Sequence, residues 1–346
     1  MNRFLAAILG AALFAGVASA ATNLTGQADN DATAASATNS TEQDELDSVM
    51  RDDDRALDDV NRWIEENNAY AARGAGESKD ELNKRILARL QDVRDEYENY
   101  LKKYSTNAPA YLAYGSFLDN IGDEDGACGQ YEKSQKVDPQ NPAVWNNLGN
   151  YYGEHGPTTN AFADYQKAID LDPTEPVYYE NFATIVYLYR RDAEEFFSIN
   201  ETQVFDKSLA LYQKAIQLDP KNFTLWTDYA ESYYGIRPLR TNDALAAWTN
   251  ALKVADNEME REGVYIHLAR IKIAAGRYAE AQGHLDAVTN AVDAAMKARL
   301  ERNLREREKA GTNTEPYFLN WNTNAASAGT NGVTGSSNVL SNQKTP

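Results

Sequence analysis

The chain has 346 residues, enough for one or two ordinary domains, and 42% of them are hydrophobic, which is typical of a globular protein. Asp and Glu outnumber Lys and Arg by 52 to 34, so the formal net charge is −18 at pH 7. Such a chain repels phosphate backbones, and we expect no nucleic-acid partner. The single cysteine, Cys128, excludes an internal disulfide and a multi-thiolate metal site.

The first twenty residues predict a secretory signal peptide. Arg3 supplies a positive charge, residues 4–17 are apolar, and residues 18–20 (Ala-Ser-Ala) form a small-x-small cleavage site. The apolar run is too short to span a bilayer comfortably, and no cysteine follows it as a lipid-anchor signal. We therefore expect a periplasmic or secreted protein that is cleaved after Ala20 and has no stable membrane anchor.

Two segments are predicted to be disordered from their composition. Residues 21–41 and 311–346 are rich in Ala, Thr, Asn, Ser and Gly, and offer little apolar surface to bury. The second segment contains an aromatic cluster at residues 316–321. This cluster either folds back on the last helices or binds a partner, and the sequence favours neither.

Residues 42–107 predict a helical hairpin that caps the N-terminal end of the fold. Its first helix places apolar residues at helical intervals: Leu46, Met50, Leu57, Val60 and Ile64. Ser78 and Glu81 have the spacing of a capping box, which starts a second helix that runs to about Tyr104. No segment of the chain shows a convincing strand pattern.

A repeat follows the hairpin. The tripeptides Leu-Asp-Pro and Val-Asp-Pro end at Pro139, Pro173 and Pro220. The first two prolines are 34 residues apart, and the next two are 47 apart, which is one period with an insertion of 13 residues. Proline ends a helix because it lacks the N–H and clashes with the preceding turn. The spacing therefore indicates helical units of 34 residues.

The unit at residues 142–175 carries the clearest signature. Its first half has Trp145, Leu148, Gly149 and Tyr152, and its second half has Ala161, Tyr165, Ala168 and Pro173. This pattern resembles the tetratricopeptide repeat, here of an exported bacterial type. Matching positions recur in four further units, at residues 108–141, 176–222, 223–258 and 262–291.

The resemblance implies an all-α fold, a right-handed α-solenoid of about five helix-turn-helix repeats. No unit buries its apolar face alone, so neighbouring units stack. Residues 293–310 are highly charged and predict a C-terminal capping helix with one solvent-exposed face.

Motifs of enzymes and metal proteins are missing from the sequence, so we expect no enzyme, no cofactor and no metal. By repeat register, the three histidines fall in different helices or units: His155, His267 and His284. Residues 121–132 match several positions of a calcium loop, but Ile121 stands where the first ligand belongs. We read this stretch as a turn between two helices.

The resemblance also implies that the first helix of each unit lines a concave groove. The residues expected to line it are Asn146, Asn147, Asn150, Glu154, Glu180, Asn181, Thr184, Tyr187, Thr227, Asp228, Glu231 and Tyr234. Because an Asn amide both donates and accepts hydrogen bonds, it can hold a peptide backbone without reading its sequence. The carboxylates favour a neutral or basic partner. The alternative is that these residues only keep the surface soluble.

The insertion lies near residues 189–204 of the third unit. We predict that both helices of this unit are longer here by one to two turns and form a projecting hairpin, and that Asn200 and Gln203 cap the second helix. Four apolar residues would cover the tip of the hairpin: Phe196, Phe197, Ile199 and Phe205. They pack on each other or on a neighbouring unit, with a docking site as the alternative.

The sequence thus predicts a non-catalytic scaffold that binds a protein or peptide in the groove. The alternative is glycan binding through the many Tyr and Trp residues, most of which occupy packing positions of the signature. The sequence identifies neither the partner nor the oligomeric state.

Overall fold

The computed structural model describes residues 32–310, with side chains from residue 41 onward. These residues form 14 α-helices and no strand, which confirms the predicted all-α class. The signal peptide, the C-terminal tail and its aromatic cluster lie outside the described residues. Within the described range, one compact unit ends at Asp138 and a second begins at Pro139. No helix between residues 32 and 310 combines the length and apolarity that crossing a bilayer requires.

The first unit contains four helices. They are α1 (Ala32–Ala71), α2 (Lys79–Lys103), α3 (Ala108–Asn120) and α4 (Glu124–Val137). Helix α1 covers the last ten residues of the segment 21–41, so the predicted disordered linker does not extend over residues 32–41. That prediction depended on the lack of large apolar residues, but four of these ten residues are alanine, the strongest helix former.

The start of helix α2 and its buried face agree with the prediction. The Ser78 side chain accepts a hydrogen bond from the backbone N–H of Glu81, whose carboxylate in turn accepts one from the Ser78 N–H. The buried residues of α2 are Leu82, Ile86, Leu90, Val93, Tyr97, Tyr100 and Leu101.

Helices α3 and α4 form the first repeat as an antiparallel pair. Ser134, near the end of α4, donates a hydrogen bond to the carbonyl of Ala108 at the start of α3. The turn between the two helices contains Asp123, whose side chain accepts from the N–H of Gly126 and pairs with Arg94 at 2.7 Å. The stretch that partly matches a calcium loop is therefore a helix–turn–helix junction.

The second unit contains ten helices in four pairs, one insertion and one closing helix. The pairs are α5 (Pro142–His155) with α6 (Thr158–Leu171), α7 (Pro176–Leu188) with α9 (Glu201–Leu218), α10 (Phe223–Ser232) with α11 (Thr241–Val254), and α12 (Glu258–Ala274) with α13 (Tyr278–Asp286). Helix α8 (Arg190–Phe197) lies in the insertion, and α14 (Ala294–Ala310) closes the unit close to its predicted bounds. The fifth repeat starts at Glu258, four residues earlier than predicted.

The insertion differs from its prediction. Helix α7 has 13 residues and is not lengthened, whereas α9 has 18 residues and is about one turn longer than the 14-residue α6. Between them α8 forms a separate helix, which ends at Ser198 in the left-handed conformation. The capping box of Asn200 and Gln203 then starts α9, as predicted. The separate α8 brings the Phe197 ring to 5.5 Å from that of Phe162.

The apolar residues of the insertion do not form a projecting tip. Phe205 is buried, while Phe197 and Ile199 pack against the core of the second unit. Phe196 is 42% exposed, but its ring lies 5.3 Å from that of Phe162. These four residues therefore pack on a neighbouring repeat, and the docking of a partner at this place stays a prediction.

Each repeat depends on a close approach between its two helices. A Cβ atom at Gly149 of α5 would lie 2.9 Å from the ring of Tyr165 on α6, closer than real Cβ contacts. Tyr165 is buried and its hydroxyl donates to Asn150, so the ring is held in place. The Gly of the signature therefore sets the distance between the two helices.

We expect Gly149→Ala to destabilise the full chain by about 1–3 kcal/mol, because the added methyl group forces Tyr165 out of its position. Chemical unfolding followed by circular dichroism measures this loss. Gly263→Ala is the matched control, since Gly263 lies within α12 and nothing is within 4 Å of the added Cβ. The control should gain up to about 1 kcal/mol from helix propensity. Equal effects of the two substitutions would contradict the packing argument.

Candidate functional site

The first helices of the repeats in the second unit lie side by side. Asn181 on α7 donates from Nδ2 to Oδ1 of Asn146 on α5 at 3.0 Å. Tyr187 on α7 approaches Gly235, just after α10, so closely that a Cβ atom there would lie 2.5 Å from its hydroxyl oxygen. Tyr234, just after α10, shares a hydrogen bond of 3.0 Å with Nδ1 of His267 on α12. These contacts join α5, α7, α10 and α12 along one face.

We call this face the polar strip. It consists of Asn146, Asn147, Asn150, Glu180, Asn181, Thr184, Tyr187, Asp228, Glu231, Tyr234, His267 and Arg270. Ten of these twelve residues were predicted to line the groove. Two other predicted residues lie at its margin, since Glu154 is exposed near the end of α5 and the Thr227 hydroxyl donates to its own helix backbone.

His267 and Arg270 were missed by the sequence prediction. They occupy the sixth and ninth positions of the fifth repeat, which in the second repeat hold Asn147 and Asn150. The positions of His267 and Arg270 in the repeat could therefore have identified them. The fifth repeat matches the signature more weakly, and the groove was predicted only from the second, third and fourth repeats.

The asparagine end of the strip is partly used inside the protein. Asn146 is only 6% exposed, and it donates to Asn147 Oδ1 while accepting from Asn181. Asn150 accepts a 2.7 Å hydrogen bond from the hydroxyl of Tyr165. The prediction that Asn146 faces a ligand is therefore corrected, because a buried amide must satisfy its hydrogen bonds within the fold. Asn146 instead joins two repeats.

Two amide atoms remain for a ligand. Asn147 and Asn181 are half-buried at the same position of successive repeats. Within the part of the chain that the structure describes, Asn147 Nδ2 and Asn181 Oδ1 have no hydrogen-bond partner. The strip therefore presents one free donor and one free acceptor on neighbouring helices.

The centre of the strip is a carboxyl pair. Burial, the charge of Glu180 and the hydrogen bond from Glu180 together raise the pKa of Asp228 to about 7. Burial also raises the pKa of Glu180, and the hydrogen bond to Asp228 partly opposes this shift. Burial disfavours the charged form of a carboxyl group. Each of these two groups therefore keeps its proton to a higher pH than an exposed carboxyl group does.

Thr184 and Tyr187 continue the strip along α7. The Thr184 hydroxyl donates to the carbonyl of Glu180 and shares a 2.7 Å hydrogen bond with Tyr212. A Cβ atom at Gly235 would lie 2.5 Å from the Tyr187 hydroxyl oxygen, so Gly235 permits this side chain to reach the next repeat. Thr184 is therefore fixed by internal bonds, while Tyr187 spans the joint between two repeats.

The far end of the strip is an aromatic and cationic cluster. The His267 ring stacks on Trp248 with centroids 4.0 Å apart. Burial, followed by the charge of Arg270, lowers the pKa of His267 to about 3, so this side chain is neutral. The guanidinium of Arg270 lies 4.0 Å from the centre of the Tyr234 ring. This end of the strip thus holds a cation against an aromatic face.

Glu231 connects the carboxyl pair with this cluster. Its side chain is 48% exposed, and its Oε1 lies 4.0 Å from Nε2 of His267. Burial and the charge of Asp228 raise the pKa of Glu231, and Arg270 opposes the shift. Because Glu231 is open to water, solvent moderates these effects.

The tryptophans of the repeats serve packing. The indole N–H groups of Trp145 and Trp226 donate to the carbonyls of Pro139 and Pro220. Trp248 is 1% exposed. Trp145 and Trp226 are half-buried and pack against the core of the second unit.

The histidines lie on three different helices, as predicted. His155 is exposed on α5 and stacks on Tyr151 at 4.5 Å. His284 on α13 contacts Nζ of Lys272 at 2.9 Å. His267, on α12, belongs to the aromatic cluster already described.

Residues 142–175 match the family model of the tetratricopeptide repeat. No curated protein sequence matches the chain. A solved structure described as YrrB, a TPR protein with an unusual peptide-binding site, is 12% identical, with a TM-score of 0.47 over 60% of this chain and 97% of that chain. A TPR protein from Cytophaga hutchinsonii is 15% identical, with a TM-score of 0.49 over 75% and 98%. Pseudomonas aeruginosa pilF is 14% identical, with a TM-score of 0.47 over 74% and 99%.

We expect Asn146→Ala to cost about 1–2 kcal/mol of stability, because it removes a buried amide and leaves Asn181 and Asn147 without a partner. Urea unfolding of the full chain measures this loss. Asn160→Ala is the control, since Asn160 is exposed on α6, and it should change stability by less than about 0.5 kcal/mol. If Asn146→Ala is as mild as the control, the amide does not join the repeats.

Proposed function

We propose that this tetratricopeptide-repeat protein is a non-catalytic scaffold that holds an extended segment of a partner protein along the polar strip. The observation that carries this proposal is the pair of free amide atoms on Asn147 and Asn181. They are half-buried on the face where the first helices lie side by side, and their hydrogen-bonding capacity is unused within the described residues. Half-buried polar atoms without partners are suited to a ligand that supplies the missing bonds.

The geometry favours an extended backbone over a folded surface. Neighbouring helices pack about 8–10 Å apart. An extended chain covers this distance in about two to three residues. A free donor on Asn147 and a free acceptor on Asn181 match one carbonyl and one N–H of such a segment. Backbone bonds of this kind hold a strand without requiring a particular sequence.

The charges of the strip favour a neutral or basic partner. Glu180, Asp228 and Glu231 all lie on the first helices, whereas Arg270 is the cation of the strip. An acidic segment would place its carboxylates against these groups in a partly buried setting, where repulsion between like charges is costly. The charge pattern therefore selects against acidic segments.

We also propose that the scaffold acts outside the cytoplasm, because the first twenty residues have the charge, apolar run and cleavage site of a signal peptide. The intact mass and N-terminal sequence of the chain purified from its native envelope should then start at Ala21. Ala20→Leu should accumulate the uncleaved chain, since a large residue blocks the small-residue position before the cut. A mature chain that keeps Met1 would exclude this proposal.

The groove is tested by panning a random-peptide display library on the immobilised full chain. Asn147→Ala combined with Asn181→Ala should lower the affinity for the recovered peptides about thirtyfold, since two hydrogen bonds of about 1 kcal/mol each are lost. The matched control combines Asn160→Ala with Asn250→Ala, which removes two amides from second helices. Circular dichroism must show the parent helicity in both variants.

Recovery of the same peptides by the Asn147 and Asn181 variant would rule out the groove. Failure of the parent chain to enrich any peptide would rule out peptide binding altogether. Quenching of Trp fluorescence by oligosaccharides, without peptide enrichment, would point to glycan binding.

A further inference from the structure

A cluster of phenylalanine rings lies outside the polar strip, where α8 packs on the second unit. It consists of Phe162, Phe182, Phe196 and Phe197, and the centres of neighbouring rings are 4.9–6.3 Å apart. Phe162 and Phe182 are fully buried, whereas Phe196 is 42% exposed. The cluster thus extends from the core of the unit to its surface.

A lysine of α9 lies against this cluster. The Nζ atom of Lys207 is 4.3 Å from the centre of the Phe197 ring and 5.6 Å from that of the Phe182 ring. The side chain is half-buried, so part of its water is removed. Aromatic faces attract the ammonium, but they offer no lone pair to its three N–H donors.

Lys207 has no anion beside it within residues 41–310. The two acidic residues of its own helix are engaged elsewhere, since Asp206 pairs with Arg240 at 2.6 Å and Glu201 pairs with Arg190 at 3.7 Å. No described carboxylate forms an ion pair with the Lys207 ammonium, and no described acceptor takes a hydrogen bond from it. Burial accordingly lowers the pKa of Lys207, and no neighbouring charge opposes this shift.

Another lysine of the same unit shows how such a charge is normally compensated. The side chain of Lys272 on α12 is 16% exposed, and its Nζ lies 3.1 Å from a carboxylate oxygen of Glu280 and 2.9 Å from the His284 ring. A charge taken out of water usually has a partner of this kind, because nothing else replaces its hydration. Lys207 has aromatic contacts but lacks the carboxylate.

We propose that Lys207, Phe196 and Phe197 form a second docking site, which binds a partner protein through an acidic residue that stands beside a large apolar residue. The carboxylate pairs with Nζ of Lys207 and supplies the missing counter-ion. The apolar side chain covers the exposed part of the Phe196 ring and removes it from water. This preference for an acid is opposite to the preference of the polar strip.

The surrounding charge favours a single carboxylate over a phosphate group. Helix α8 carries three acidic residues of its own, which are Asp192, Glu194 and Glu195. The whole chain has a formal net charge of −18. A doubly charged anion is repelled by this field more strongly than a singly charged one. An acidic side chain that also brings an apolar contact therefore fits the site best.

The test is an array of short peptides that is probed with the full chain. Each peptide places Asp or Glu beside one variable residue in a Gly-Ser background, and a parallel set carries Asn or Gln instead of the acid. We expect the strongest binding where the acid stands beside Phe, Trp, Leu or Met. The matching amide peptides should bind about tenfold more weakly in calorimetric titration.

Substitutions at Lys207 separate its charge from its packing. Lys207→Gln should lower the affinity for the best acidic peptide about tenfold, whereas Lys207→Arg should retain it, because a guanidinium restores the charge over the same rings. Phe196→Ala should weaken only the preference for an apolar neighbour. In the parent chain, the bound peptide should slow the acetylation of Lys207 by an N-hydroxysuccinimide ester, as read by mass spectrometry.

The matched control is Lys214→Gln, which removes the same charge from an exposed position of α9 and should leave binding unchanged. Asn147→Ala with Asn181→Ala should also bind the acidic peptides as the parent does, since the polar strip is not involved. A panned peptide that uses the second site is recognised by its loss on Lys207→Gln, so the two sites are scored separately.

The docking site is overturned if acidic peptides bind no better than their amide counterparts, or if Lys207→Gln binds them as the parent does. An equal loss with Lys214→Gln indicates a general attraction to positive charge and overturns it as well. If Lys207→Gln loses helicity by circular dichroism, the acetylation of the parent decides, because a peptide bound elsewhere would leave the rate at Lys207 unchanged.

Discussion

The close approach of the two helices in each repeat is the constraint on which the remaining structure depends. At Gly149 a methyl group would meet the Tyr165 ring at 2.9 Å, and at Gly115 it would meet the Tyr131 ring at 2.5 Å. These close contacts fix the rotation of the first helix about its own axis, because the tyrosine ring leaves room only where the first helix presents its glycine. Within the second unit this rotation repeats, and the sixth and ninth positions of its successive repeats fall in line. The polar strip is therefore a consequence of packing on the opposite side of the same helices.

Much of the fold follows from the sequence because packing residues recur in phase. The buried face of α2, its capping box and the helix pair at residues 142–175 all follow from local patterns that need no knowledge of distant contacts. The insertion is different. Whether α7 continues or α8 forms a separate helix depends on what Phe197 packs against. It packs against Phe162 on α6. The periodic pattern of one segment does not predict such a contact with a distant segment.

The polar strip could be located from the sequence, but its use could not. Register placed Asn146 and Asn147 on the same face, yet one is 6% exposed and the other is half-buried. The difference arises because Asn181 reaches across from the next repeat and engages Asn146 alone. Likewise, Thr184 and Tyr212 are separated by the insertion, and their hydrogen bond exists because α7 and α9 are neighbours in space. Side-chain bonds between repeats decide which polar groups remain for a partner.

The burial of the Glu180 and Asp228 carboxyl groups lowers the stability of the fold, and packing does not explain why these residues are acidic. An amide at either position would have nearly the same shape and would carry no charge to bury. The solenoid would therefore be more stable at pH 7 and above with Gln or Asn in place of Glu180 or Asp228. Groups that reduce stability at a half-buried joint are typical of binding surfaces, where the missing partner is supplied by the ligand. The Tyr234 joint satisfies its charge with Arg270 of the same chain. The joint between α7 and α10 has Arg190 at 5.5 Å from the centre of the Tyr187 ring, so its half-buried carboxyl groups, and not an open aromatic face, distinguish it.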